Sequence, residues 1–128
     1  EVEDEPVKLS FYDPTGQAET NILPLARKYA HVFQVTLSSR CWVDLMAPEA
    51  NKGRAAGEAQ KFLGVSPAEC AAFGDYINDL ELMEAVGCSF AMANAHPRLK
   101  ERASRLAPSN AEEGVLRGIE ALMGEGLL

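Results

Sequence analysis

A chain of 128 residues with 47% hydrophobic side chains has the size and apolar content of one soluble globular domain. Its formal charge of −7 offers no basic surface to neutralise nucleic-acid phosphates, which excludes polymeric nucleic acid as a partner and suits a bound cation better. No apolar run approaches the roughly 20 residues that span a bilayer, and no basic segment followed by an apolar one opens the chain, so a cytoplasmic protein without a membrane partner is expected.

Glu1 to Pro6 form a charged lead-in without an initiator methionine, and the chain reads as processed or excerpted. Val7 to Phe11 alternates like a half-buried strand, and Asp13-Pro14-Thr15-Gly16 supplies turn chemistry after it. A helix should follow with Thr20 or Asn21 as N-cap, Pro24 in its first turn, and Leu23, Ala26 and Ala30 along one face. Phe33 to Ser38 and Cys41 to Met46 are alternating runs separated by Ser39-Arg40, the pattern of a β-hairpin.

From about Pro48 the rhythm changes to helices alternating with short apolar segments, as in βαβ units of a parallel sheet. The expected division is therefore 1–47, an α+β portion, and 48–128, an α/β portion. Lys52 to Leu63 is a predicted helix ended by Gly64, and Ser66-Pro67-Ala68-Glu69 has the form of a capping box. Cys70 to Phe73 reads as a buried strand, Gly74 to Asp79 as a loop, Leu80 to Val86 as a helix closed by Gly87, and Cys88 to Met92 as the next strand.

His96-Pro97 opens a helix to about Ala103, and Arg105 to Ala107 forms a short edge strand. Ser109 and Glu112 make a second capping box that should start the last helix, with Val115, Leu116, Ile119, Leu122 and Met123 as its apolar stripe. Cys41, Cys70 and Cys88 are odd in number, far apart and set in apolar stretches, which points to reduced, buried thiols rather than a disulfide or zinc framework.

The chemistry concentrates in Gly74-Asp75-Tyr76-Ile77-Asn78-Asp79, between a strand end and a helix start, where open α/β sheets bind ligands. Two aspartates four residues apart, with an amide between them, offer only oxygen donors; that suits a hard cation such as Mg2+ and not zinc. The plain alternative is that Asp and Asn merely cap the helix. Lys52 sits in the first turn of its helix, where the helix dipole disfavours a cation, so a bound phosphate or a neighbouring aspartate should compensate it. The alternative there is a solvated lysine beside Glu49. Asn94 follows a strand and could line the same crevice or cap a turn, and His96 and His31 are weaker candidates for acid or base work. No nucleophile elbow, glycine-rich phosphate loop or cysteine-histidine arrangement occurs.

Taken in order, Lys52-Gly53, then Phe73 to Met83 (FGDYINDLELM), then Ala91-Met92-Ala93-Asn94-Ala95, the chain resembles the C-terminal motifs of the haloacid dehalogenase-like superfamily, nearest to the Cof-type phosphatases, over about Cys41 to Leu122. The resemblance implies a partial Rossmann-like parallel sheet with flanking helices, preceded by the remnant of an α+β cap domain. It implies that Lys52 contacts the phosphoryl group and the aspartyl intermediate, that Asn78 binds phosphate, that Asp75 binds Mg2+, and that Asp79 supports the metal site. The substrate class it implies is small phosphorylated metabolites. Tyr76 departs from the family's usual glycine, which leaves the substrate open.

The family's N-terminal D-x-D followed by Gly and Thr has no counterpart in these 128 residues, and Asp13-Pro14-Thr15-Gly16 does not supply it. Its first aspartate is the family's nucleophile, so this fragment alone is expected to be inactive, and the strand beside the one ending in Asp75 is missing. The strand edge left open points to self-association. A non-catalytic binding or interaction module of the same fold is the alternative function. A phosphoacceptor receiver domain fits less well, because Lys52 precedes Asp75.

Overall fold

The structure, a computed structural model, describes residues 6–127 in two units, a first ending at Asn51 and a second beginning at Lys52. In the first, β1 (Lys8–Tyr12), β2 (Gln34–Leu37) and β3 (Trp42–Met46) form an antiparallel sheet in the order β1-β3-β2. Strand alternation divides its side chains. Val43, Leu45 and Leu37 turn one way and are buried with Ala18, Leu23 and Ala26 of two short helices, α1 (Ala18–Asn21) and α2 (Leu23–Ala26). Ser10, Asp44 and Thr36 stand in register on the opposite face, as do Tyr12 and Trp42.

The single helix expected after Thr20 or Asn21 is instead two. It begins earlier, at Ala18, and stops at Asn21, because Pro24 has no N–H to continue the ladder and the chain restarts at Leu23 with Pro24 in the first turn. Asp13 organises the turn before it: one carboxylate oxygen accepts from the Thr15 N–H at 2.7 Å and the Thr15 hydroxyl at 2.6 Å, the other from the Asn21 amide at 2.8 Å.

The second unit carries a parallel sheet in the order β4-β5-β6: β4 (Ala71–Gly74), β5 (Cys88–Met92) and β6 (Arg105–Ala107). The helices are α3 (Lys52–Leu63), α4 (Leu80–Glu84), α5 (Pro97–Lys100) and α6 (Gly114–Gly124). Ala72, Met83, Phe90, Ala91, Met92, Leu99 and Leu122 belong to one buried cluster, and Phe73 stacks on Phe90 with ring centroids 4.7 Å apart. Helix α3 has no buried residue; it rests on α4, where Gly53 lies against the Glu81 carbonyl and the Gln60 amide donates to the Ala85 carbonyl at 2.8 Å.

This is the α/β fold class expected, with a parallel sheet flanked by helices. Several details differ. The strand placed at Cys70 runs from Ala71 to Gly74 and is only partly buried, because β4 is an edge among the described residues. Helices α4 and α5 end sooner than their patterns suggested. The Ser109–Glu112 box caps a 3-10 turn, after which Glu113 adopts a left-handed conformation and α6 starts afresh at Gly114. Helix α6 meets the sheet through Gly118, where an added Cβ would collide with the Phe73 ring, so Leu122 is buried while Val115, Leu116, Ile119 and Met123 stay exposed. The three cysteines are free, as expected, yet half-buried, since each lies at or beside the beginning of a strand.

Candidate active site

β4 ends at Gly74, Asp75 and Tyr76 leave the sheet, and a 3-10 turn over Ile77–Asp79 leads into α4. The turn brings the Asp79 side chain back to the strand end, where the residue is 3% exposed. One of its oxygens accepts from the backbone N–H of Asp75 at 3.1 Å and of Tyr76 at 3.4 Å; the other is paired with the Lys52 ammonium. Gly74 is required for this return. A Cβ there would lie 2.8 Å from the Asp79 Cβ and 2.9 Å from its Oδ2. Glycine is used here for room rather than for backbone freedom.

Lys52 is the first residue of α3, and its side chain is half exposed. The unfavourable meeting of a cation with a helix N-terminus is offset by Asp79, the second of the two compensations the sequence allowed. Asp75, by contrast, is exposed, and its carboxylate makes no hydrogen bond or ion pair among the described residues. Its carbonyl accepts from the His96 N–H at 2.8 Å, tying the loop after β4 to the loop after β5. The Asn78 amide, half-buried, has no hydrogen bond among the described residues either. Lys52, Asp79 and the Asp75 backbone are thus joined at the C-terminal end of β4, with the Asp75 carboxylate and the Asn78 amide on the same short loop.

The other candidates have structural partners. The Asn94 side-chain oxygen accepts from the Asn110 N–H at 3.1 Å, His96 Nδ1 accepts from the Arg98 N–H at 3.2 Å, and the His31 ring bonds to the Lys28 carbonyl. The His96 and Tyr76 rings meet edge to face, 5.6 Å between centroids, so the tyrosine that stands in place of glycine packs on the neighbouring loop. Gly53 and Gly74 stand in the sequence motifs, but the close approaches that require them are not legible there. Their only signals are a glycine directly after Lys52 and another at the end of an apolar run.

The donors here are carboxylate, amide and backbone oxygens, and among the described residues no group of three or more His, Cys, Asp and Glu gathers.

The model of a family described as haloacid dehalogenase-like hydrolase matches residues 1–119. This chain belongs to that family. Within the haloacid dehalogenase-like hydrolases it sides with the Cof-type phosphatases, as its three motifs implied. It is 32% identical over 116 residues to the putative phosphatase YxeH of Bacillus subtilis, an alignment covering 91% of this chain and 43% of the relative. It is 37% identical over 81 residues to the 5-amino-6-(5-phospho-D-ribitylamino)uracil phosphatase YbjI of Escherichia coli, covering 63% of this chain and 30% of that protein. The solved structure of a haloacid dehalogenase-like hydrolase from B. subtilis superposes with a TM-score of 0.77 at 29% identity, over 98% of this chain and 43% of that one. The chain therefore spans less than half the length of the relatives it matches. No helix among the described residues is long and apolar enough to cross a membrane.

Proposed function

We propose that these residues supply the phosphate-handling and metal-handling half of a Mg2+-dependent phosphatase acting on small phosphorylated metabolites in the cytoplasm. The observation that carries this reading is the pairing of Lys52 with the buried Asp79 directly beside the exposed Asp75 carboxylate. Phosphoryl transfer asks little of a protein beyond positioning and neutralising charge on the transferring group. Lys52 is held for that task. Asp79 fixes its ammonium at the end of β4, while the half-exposed side chain keeps donors for a phosphoryl oxygen.

Asp75 and water would hold the Mg2+, which when bound neutralises negative charge on the phosphoryl oxygens. Asp79 accepts from Lys52 and from two backbone N–H groups, so it would orient Lys52 and the Asp75 backbone while supporting the metal site. The Asn78 amide is placed to donate to phosphate. The attacking carboxylate would be an aspartate of the whole protein that these 128 residues do not contain: it takes the phosphoryl group from the substrate as an aspartyl phosphate, the alcohol leaves, and water hydrolyses this acyl phosphate to free phosphate and the regenerated carboxylate. Relatives named as phosphatases of both a ribitylaminouracil phosphate and phosphoglycolate support the reading of a small phosphorylated substrate.

The whole protein should hydrolyse p-nitrophenyl phosphate in the presence of Mg2+, lose that activity with a chelator, and lose it in Lys52→Ala. Full activity in Lys52→Ala would refute the assignment.

A further inference from the structure

The peptide groups on either side of the Asp75 side chain are both hydrogen-bonded. The Asp75 N–H donates to Asp79 Oδ2 at 3.1 Å, and the Asp75 carbonyl accepts from the His96 N–H at 2.8 Å. The Asp75 carboxylate, which makes no bond of its own among the described residues, therefore stands on a backbone held from two sides. One support is its own loop, and the other is the loop after β5.

The second support is stiff. Leu99 anchors α5 in the core and is fully buried, the Lys100 ammonium donates to the Ala93 carbonyl at 2.6 Å, and the Ala95 N–H donates to the Met92 carbonyl at 2.8 Å. His96 caps α5: its Nδ1 accepts from the Arg98 N–H at 3.2 Å, which commits one ring nitrogen to the helix start and sets the orientation of the ring. Against that ring stands Tyr76, edge to face, with 5.6 Å between centroids and 76° between planes. Tyr76 directly follows Asp75, and both aromatic residues are half-buried. The same two loops are thus joined twice, once through the Asp75 carbonyl and once through the side chain of the next residue. A ring pair of this kind is worth about threefold to tenfold in an equilibrium beyond the area it buries.

We infer that Tyr76 and His96 are positioning residues for the cation at Asp75: their ring contact holds the Asp75 carboxylate in place beforehand, so that binding does not have to order it. This role rests on the reading of Asp75 as the Mg2+ ligand. Neither ring is itself a ligand, because a hard cation takes oxygen donors; the two side chains act through the Asp75 backbone that lies between them. A donor fixed by its surroundings binds more tightly than the same donor on a loose loop.

In the whole protein, the rise of the thermal midpoint with added Mg2+ reports metal binding without turnover. Tyr76→Ala should need about threefold to tenfold more Mg2+ for the same rise. His96→Asn, whose new side chain still caps α5, should behave alike, whereas Tyr76→Phe should keep the parent's response. Because the two rings form one contact, the double variant Tyr76→Ala/His96→Asn should need no more Mg2+ than either single variant. KM for p-nitrophenyl phosphate at saturating Mg2+ should stay within about twofold of the parent, which a general loosening of the loop that carries Asn78 would not allow. Any of four results overturns the inference: a parent-like Mg2+ response in Tyr76→Ala or His96→Asn, additive effects in the double variant, a Tyr76→Phe response as weak as that of Tyr76→Ala, or a KM that rises in step with the Mg2+ requirement. Asp75→Ala separates the two readings, since its midpoint should no longer respond to Mg2+. If it keeps the parent's response, the metal reading fails; if it loses the response while Tyr76→Ala keeps it, only the positioning role falls.

Discussion

Replacing Asp79 with alanine removes a buried carboxylate shared by three groups of the second unit. The carboxylate is almost wholly buried and serves the Asp75 and Tyr76 N–H groups and the Lys52 ammonium. Both N–H groups belong to residues that are not buried, so each lost bond counts at the net value of an ordinary hydrogen bond, about 0.5–1.5 kcal/mol, giving about 2 kcal/mol for the two. The Lys52 side chain is 51% exposed and rehydrates on losing its partner, so the ion pair adds about 1 kcal/mol or less. The expected loss is therefore about 2–3 kcal/mol, which with a urea slope of about 1–3 kcal/mol/M moves the unfolding midpoint of the second unit by at least about 0.7 M. Asp79→Asn, which keeps one acceptor, should lose about half as much. A urea transition in Asp79→Ala within about 0.5 kcal/mol of the parent would refute the view that this carboxylate holds the loop together.

Gly74→Ala should push Asp79 off the strand end, since the new methyl would stand 2.8 Å from its Cβ, and should cost about 1–3 kcal/mol in the same urea assay. Acidification should weaken the first unit: Thr15 hydrogen bonds, the hydroxyl first, hold the Asp13 carboxyl below its ordinary 3.8. A depressed carboxyl contributes stability that is present above its unfolded value and lost as pH falls through the folded one, so the thermal midpoint should drop as pH falls below about 4, and less steeply in Asp13→Asn. Sedimentation should show concentration-dependent self-association of the 128-residue chain through the outer edge of β4, a strand whose Ala-Ala-Phe-Gly sequence carries neither charge nor proline; a monomer at all concentrations would contradict this.

Much of this fold is written in local chemistry. The bounds of α3 follow from Gly64, which takes a positive φ of 69° directly after the helix, and the Ser66–Glu69 box forms as its spacing requires. The hairpin of β2 and β3 follows from alternation and the short turn between them, whereas the pairing of β1 with the far side of β3 has no local signal. Elsewhere the same letters serve two outcomes. The apolar residues of α6 describe a stripe that helical periodicity would bury, but the sheet is met by Gly118, whose fit against Phe73 is a tertiary fact with no period of its own. At the candidate site, Asp75 and Asp79 are equal as letters. Only the folded loop turns one inward to Lys52 and two N–H groups and leaves the other facing water. The sequence did carry the sign that Lys52 needed an anion, because a cation at a helix start is unfavourable, but whether the anion was a side chain or a phosphate was decided by packing.

The most direct test is the rate of p-nitrophenyl phosphate hydrolysis by the whole protein as Mg2+ is titrated, in the parent and in Asp75→Ala. The Asp75 carboxylate has no hydrogen bond or ion pair to lose among the described residues, so the variant should fold as the parent does, and its hydrolysis should fall by orders of magnitude at every Mg2+ concentration. A folded Asp75→Ala protein with the parent's rate and the parent's Mg2+ dependence would contradict the account.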